Sequence, residues 1–223
     1  MSGPRPQVIL LRHGEVASHR GDVPITDDGR RQAEDAGRRL GARGWRRVLL
    51  LSGATRRAQE TAAGVRHGLA AAVASSSVTG PEVAFALRNP DLYLAGHRVD
   101  MVSSPDAFAT QVPGLGSDDV LRVPFFAGFL TAPDRIEYWL RASGPPGDTA
   151  ADVAGRIVVF ARSLADRGPA GPDAVVCVTH SPVLRAVAVG LAGQDPGEPR
   201  YLTGYAVDAD EGSPRAAVFD PFA

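Results

Sequence analysis

The chain of 223 residues contains no lysine, and all 24 of its basic residues are arginine. This excludes a Schiff-base lysine and the phosphate lysine of a Walker-type loop. Any anion held here is held by arginine, histidine or backbone amides. There is a single cysteine, Cys177, inside the apolar run Val175 to Val178, so neither a disulfide framework nor a cysteine-rich metal site is available. Flanked by valines, it reads as core rather than as a nucleophile. Basic excess is missing too: 24 basic against 25 acidic residues give a formal charge of −1. Nothing is in surplus to neutralise a phosphodiester backbone or an anionic bilayer, and neither nucleic acid nor membrane is expected as a partner. The segment Met1 to Gln7 is polar, and the apolar run after it is far too short for a signal-peptide core or a membrane span. A cytoplasmic protein is expected.

What is present alternates between strand and helix signals. With 223 residues, one α/β domain covering 1–223 is expected, because two ordinary domains and a linker would need more chain. Val8 to Leu11 is an all-apolar strand of the kind buried on both faces of a parallel sheet, as is Val48 to Leu51. Between them Thr26 reads as a helix N-cap, with Asp27 and Asp28 in the first turn and Ala33, Ala36 and Leu40 on one face. A helix follows from Thr55 to Val73, and Val83 to Leu87 reads as the third strand. Thr149 caps a helix striped by Val153, Ile157, Phe160 and Leu164; the fourth strand is Ala174 to Thr179, followed by a helix over Val183 to Leu191, and Tyr201 to Val207 and Ala216 to Phe219 close the sheet. The fold class expected is a three-layer α/β/α arrangement with a mostly parallel central sheet.

The pattern breaks between about 88 and 145 into prolines, glycines and short apolar pieces, with one clear helix near Arg135 to Leu140. So long a stretch is too much for a connection and reads as an inserted lid. It holds seven of the fourteen aromatic residues: Tyr93, Phe108, Phe125, Phe126, Phe129, Tyr138 and Trp139. They suit a small core of its own, with part left to line a pocket or a homodimer face.

Several strands end in groups that handle anions. The first stops at Arg12-His13-Gly14, the helix after the second carries Arg56 one turn in, and the fourth stops at His180. In a parallel sheet the carboxyl ends share one edge, so these side chains can converge. Two arginines and two histidines suit a phosphoryl dianion, because guanidinium forks match its oxygens. The tripeptide recurs as Arg66-His67-Gly68, but inside a helical stretch with no strand before it, and is read as helix surface.

On these residues the chain resembles the histidine phosphatase superfamily, in its phosphoglycerate-mutase-like branch. The motifs are Leu11 to Glu15, Pro24-Ile25-Thr26 with Gly29 and Gln32, Ser52 with Arg56 to Thr61, Gly147-Asp148-Thr149 with Arg156, and Val178 to Ser181. The resemblance implies phosphoryl transfer from a small phosphorylated substrate through a phosphohistidine on His13, with Arg12, Arg56 and His180 holding the phosphate oxygens and no cofactor or metal. Neutral imidazole is available near pH 7 for the attack, and a protonated His180 suits a dianion beside it. The general acid that relatives place after the third strand falls on Asn89, which has no acid proton to give. Asp91 is the candidate acid instead, with Glu82 in reserve. His19 stands where relatives have a phosphate-contacting asparagine. The leading function is a phosphomonoesterase. A mutase, a catalytically weak phosphate-binding protein, and a metal hydrolase built on His13, His19, His97 and His180 are the other readings.

Overall fold

A computed structural model describes residues 5–18, 21–72, 78–168, 170–210 and 212–223. Its central sheet contains β1 (Gln7–Arg12), β2 (Val48–Ser52), β3 (Val78–Val83), β6 (Ala174–Thr179), β7 (Gly204–Asp208) and β8 (Arg215–Phe219). These lie in the order β3-β2-β6-β1-β7-β8. β3, β2, β6 and β1 run parallel, β7 pairs antiparallel with β1, and β8 pairs antiparallel with β7. A mixed α/β fold with a mostly parallel sheet is thus what the chain adopts.

Alternation along the strands explains the layers. Ile9, Leu11, Leu50 and Val176 face α1 (Asp27–Gly41) and α2 (Arg56–Ala72), through Ala33, Ala36, Leu40, Val65 and Leu69. On the other face Val8, Leu10, Leu49, Val175 and Cys177 meet α7 (Ala150–Ser163) and α8 (Ser181–Ala192). Cys177 is fully buried, and burial pushes its thiol far above the ordinary range, so it is core as expected.

Helices α1 and α2 approach closely because glycines remove side chains at the contact. A Cβ on Gly68 would meet Glu34 O at 1.9 Å, and one on Gly37 would meet Val65 O at 2.2 Å. The second Arg-His-Gly copy is explained by this packing: Arg66 and His67 are exposed, and Gly68 is a helix-contact residue.

The third strand is displaced from its expected place. It runs over Val78–Val83, and Phe85–Leu87 forms a 3-10 turn. Pairing with β2 is already used by Val78, Thr79, Glu82 and Val83, and Leu87 turns inward to full burial. The region expected as a lid holds more regular structure than its composition suggested: a hairpin of β4 (Leu92–Leu94) and β5 (His97–Val99), then α3 (Pro105–Ala109), α4 (Ser117–Arg122), α5 (Pro124–Thr131) and α6 (Arg135–Arg141). Its buried aromatics Phe108, Phe126, Phe129 and Trp139 form one continuous cluster with α7, α8 and the sheet. The insertion therefore has no separate core.

Candidate active site

The parallel register brings the strand ends together. Arg12 sits opposite Thr179, and Ser52 opposite Val178. His13 N donates to Thr179 O and Gly53 N to Val178 O, both at 2.9 Å, which carries the pairing one residue past each strand. At this edge lies a cavity of about 440 Å³ lined by Arg12, His13, Arg57, Asn89 and His180, with Glu198, Asp134 and Arg185 on its walls. Met101, Val102, Phe129, Pro133 and Ile136 of the insertion supply its apolar side.

His13 is almost wholly buried, and its orientation is set by the residue after it. Its Nδ1 lies 2.8 Å from Gly14 O. A carbonyl only accepts, so Nδ1 carries the proton and the neutral ring keeps its lone pair on Nε2. The Gly14 loop is fixed in turn: Gly14 N donates to Thr61 Oγ1 at 2.8 Å, and the Thr61 hydroxyl donates to Arg57 O at 2.6 Å. A Cβ on Gly29 of α1 would stand 2.8 Å from Glu15 O, which explains a glycine at that motif position.

The His180 ring centroid is 5.6 Å from that of His13. Burial, then the charges of Arg57, His13 and Arg12, holds its imidazole well below the ordinary histidine range. Among the protein's own groups it is therefore neutral, and the protonated form expected from the sequence requires a dianion beside it. His180 also takes the N-cap position of α8, so Ser181 is the first residue of the helix rather than its cap. The Ser181 hydroxyl turns instead to Glu198.

Arg12 is buried and already engaged. It donates to Pro199 O at 2.6 Å, pairs with Glu198 Oε1 at 2.6 Å, and lies 4.1 Å from the centre of the Tyr201 ring. Burial pulls its guanidinium below the usual range, and Glu198 opposes this.

It is Arg57, and not Arg56 as expected, that the structure brings to the cavity. Arg56 is exposed on α2 and pairs with Glu60 at 2.7 Å, one turn on. Its neighbour Arg57, turned about 100° around the helix, lines the cavity instead. Burial pulls the Arg57 guanidinium down, and its Nε has no hydrogen-bond partner among the described residues. The motif had been placed one residue too early.

Asp91 does not stand where an acid is needed. It is gripped by Arg88, at 2.6 and 2.8 Å, and by Arg98. Burial alone would raise its carboxyl, but these hydrogen bonds and charges win and hold it below the usual range. It lies outside the lining, whereas Asn89 is part of it. Its backbone is tied to Asp148, whose carboxylate accepts from Asp91 N and pairs with Arg156. The motif around Asp148 thus braces the turn carrying Asn89. Glu82 is exposed on the edge strand β3 and is no reserve. His19 lies outside the described residues. Among those residues, no group of three or more His, Cys, Asp or Glu side chains is placed to hold a metal ion.

Two cavity-lining side chains gave no signal of their own. Arg185 is fully buried on α8, where only an apolar helix was apparent, and it joins Asp195, at 2.5 and 2.9 Å, to Asp134 of the insertion at 2.8 Å. Glu198 sits in an irregular loop with no motif around it.

Fold and site together define an α/β protein with an arginine- and histidine-lined cavity at the carboxyl edge of its sheet. Residues 8–77 match the family described as the histidine phosphatase superfamily (branch 1), which bears out the resemblance read from the motifs. No curated protein matches the chain. Similar solved structures include mycobacterial glucosyl-3-phosphoglycerate phosphatase in complex with inorganic phosphate, at 21% identity and a TM-score of 0.60, covering 96% of each chain. A putative alpha-ribazole-5'-P phosphatase from Escherichia coli aligns over 97% of both chains at 16% identity and a TM-score of 0.56. Phosphoserine phosphatase from Entamoeba histolytica, a mutant in complex with phosphoserine, aligns over 97% of this chain and 98% of its own at 14% identity and a TM-score of 0.54. At such identities the likeness is one of fold. No described helix is long and apolar enough to cross a membrane.

Proposed function

We propose that the protein is a metal-independent phosphomonoesterase of a small phosphorylated metabolite, working through a phosphohistidine on His13. The observation that carries this is the fixed tautomer of His13: Nδ1–H on Gly14 O leaves Nε2 as the nucleophilic nitrogen. Around it, Arg12, Arg57 and His180 line the same cavity and would share the phosphate oxygens. Guanidinium groups fixed before the reaction stabilise charge that develops on the transferring group. The neutral His180 gains its proton as the dianion arrives and then donates to it. The family match, and neighbours named as phosphatases, favour the same reading.

The test is trapping with labelled substrate in the presence of EDTA. An acid-labile, alkali-stable phosphoramidate is expected in the wild type and absent in His13→Ala. An acid-stable adduct, or turnover that needs a divalent ion, would refute the reading. Assaying phosphate release against isomer interconversion separates a phosphatase from a mutase.

A further inference from the structure

The reaction just proposed needs a proton for the leaving oxygen, and the positions expected to supply it do not. Asn89 has none to give, Asp91 is locked between Arg88 and Arg98, and Glu82 is exposed on an edge strand. Among the described residues, the carboxylates lining the cavity are Asp134 and Glu198. Asp134 is committed: it caps α6 by accepting from Glu137 N at 2.9 Å, and Arg185 donates to it at 2.9 Å. Its carboxyl is held below the usual range by the Arg185 hydrogen bond above all.

Glu198 differs in both position and access. Its Oε1 meets Arg12, the residue before His13; its Oε2 accepts from Ser181, the residue after His180, and lies 3.9 Å from Arg185. The carboxylate therefore straddles the chain segments that carry the two histidines. Its side chain is 49% exposed, so it can exchange protons with water. The loop bearing it is anchored by Arg185, which holds Asp195, while Asp195 accepts from Gly197 N at 3.1 Å. Lining the cavity with Glu198 are Arg12 and His13 from the β1 end, Arg57 from α2, His180 at the cap of α8, Ser181 and Arg185 from α8, and Asp134 and Arg135 from the insertion.

We propose that Glu198 is the general acid and base of the reaction, an inference that rests on the phosphohistidine reading. A phosphate dianion arriving at Arg12 displaces Glu198 from it, which frees the carboxyl to carry the proton to the leaving oxygen. In the first step the bond from His13 Nε2 to phosphorus forms, the phosphorus–oxygen bond to the leaving group breaks, and the Glu198 proton moves to that oxygen. In the second, the Glu198 carboxylate takes a proton from water as the water oxygen attacks phosphorus. The N–P bond breaks, its electron pair returns to the imidazole, and phosphate is released.

The experiment compares wild type with Glu198→Gln and Glu198→Asp on an alkyl phosphate and on nitrophenyl phosphate, whose leaving group departs without an acid. For Glu198→Gln, alkyl phosphate turnover should fall about 10²–10⁴-fold. The nitrophenolate burst should keep its amplitude, which also shows an intact fold, while the steady nitrophenyl rate drops for want of the base. Glu198→Asp should recover part of the alkyl phosphate activity. If Glu198→Gln instead lowers KM and leaves kcat equal or higher, Glu198 is only the counter-ion of Arg12 and the proposal is overturned. Loss of the burst itself also overturns it, because nitrophenolate needs no acid. A wild type that shows neither burst nor phosphohistidine would defeat the underlying reading, and this inference with it, whatever the variants do.

Discussion

Replacing Arg57 and Arg56 one at a time separates two side chains that are adjacent in sequence and unequal in the fold. Arg56 is 57% exposed, and its ion pair with Glu60 joins residues one helical turn apart. Pairs of that kind contribute about 0.3–0.5 kcal/mol. The Arg56 backbone amide also donates to Asp22 Oδ1 at 2.7 Å, and alanine keeps that bond. Arg56→Ala should therefore leave turnover within about twofold and shift stability by no more than ~0.5 kcal/mol. Arg57 lines the cavity with both histidines. Removing a preorganised donor to the transferring group costs about 2.7–4 kcal/mol in comparable sites, or ~10²–10³ in kcat. Arg57→Lys should recover only part of this, since an ammonium lacks the planar fork. A second readout needs no substrate. After burial, the charge of Arg57 is the largest influence depressing His180, so Arg57→Ala should move the His180 titration upward, visible by NMR. Equal losses of nitrophenyl phosphate turnover in the two alanine variants would refute this assignment, and so would an unmoved His180.

Asp91→Asn should weaken the fold and spare the chemistry. With Arg88 and Arg98 losing their anion, about 1–3 kcal/mol should disappear from a urea unfolding curve at pH 7, while alkyl phosphate turnover changes only a few-fold. The sign of the pH dependence follows from the depressed carboxyl. Its stabilisation is present above the unfolded value of about 4 and is lost as pH falls through the lower folded value, so the gap between wild type and variant should close in acid. A hundredfold fall in turnover would return Asp91 to the mechanism. Thr61→Val keeps shape but leaves the Gly14 amide without its acceptor. A loss of about 1–3 kcal/mol, faster amide exchange at Gly14 and lower kcat are expected, and unchanged exchange would dismiss Thr61 as a support of the nucleophile loop.

The backbone of the site was readable because its signals are local. An all-apolar strand that ends in Arg12-His13-Gly14, and another that ends in His180, can sit only at the carboxyl edge of a parallel sheet, and both do. The choice between Arg56 and Arg57 was not local in that sense. One residue of helical phase decides which guanidinium faces the cavity, and two adjacent arginines look alike until the helix is docked. Asp91 misled for a related reason: an aspartate after a proline near the expected acid position says nothing of Arg98, seven residues on, which takes up its other oxygen. Glu198 had no pattern to be found by, since its partners Arg12 and Ser181 lie 186 and 17 residues away in the chain.

The absence of lysine gives the two site arginines different tasks. Arg12 is engaged by Pro199 O, by Glu198 and by the Tyr201 face, while its buried Nε has no hydrogen-bond partner among the described residues. An anion that takes the guanidinium nitrogen Glu198 occupies must exchange with it, so the charge of Arg12 is partly offset until substrate arrives. Among the described residues no carboxylate pairs with Arg57, whose guanidinium donates to Gly21 O at 3.5 Å, and Asp22 and Asp100 act on it through space. In the proposed reaction Arg57 therefore attracts and holds the phosphoryl group from the start, whereas Arg12 couples binding to the release of Glu198. A flexible lysine at position 12 would keep the charge but lose the fork that meets Pro199 O and Glu198 at once. The exchange that readies the acid would then no longer be tied to the phosphate.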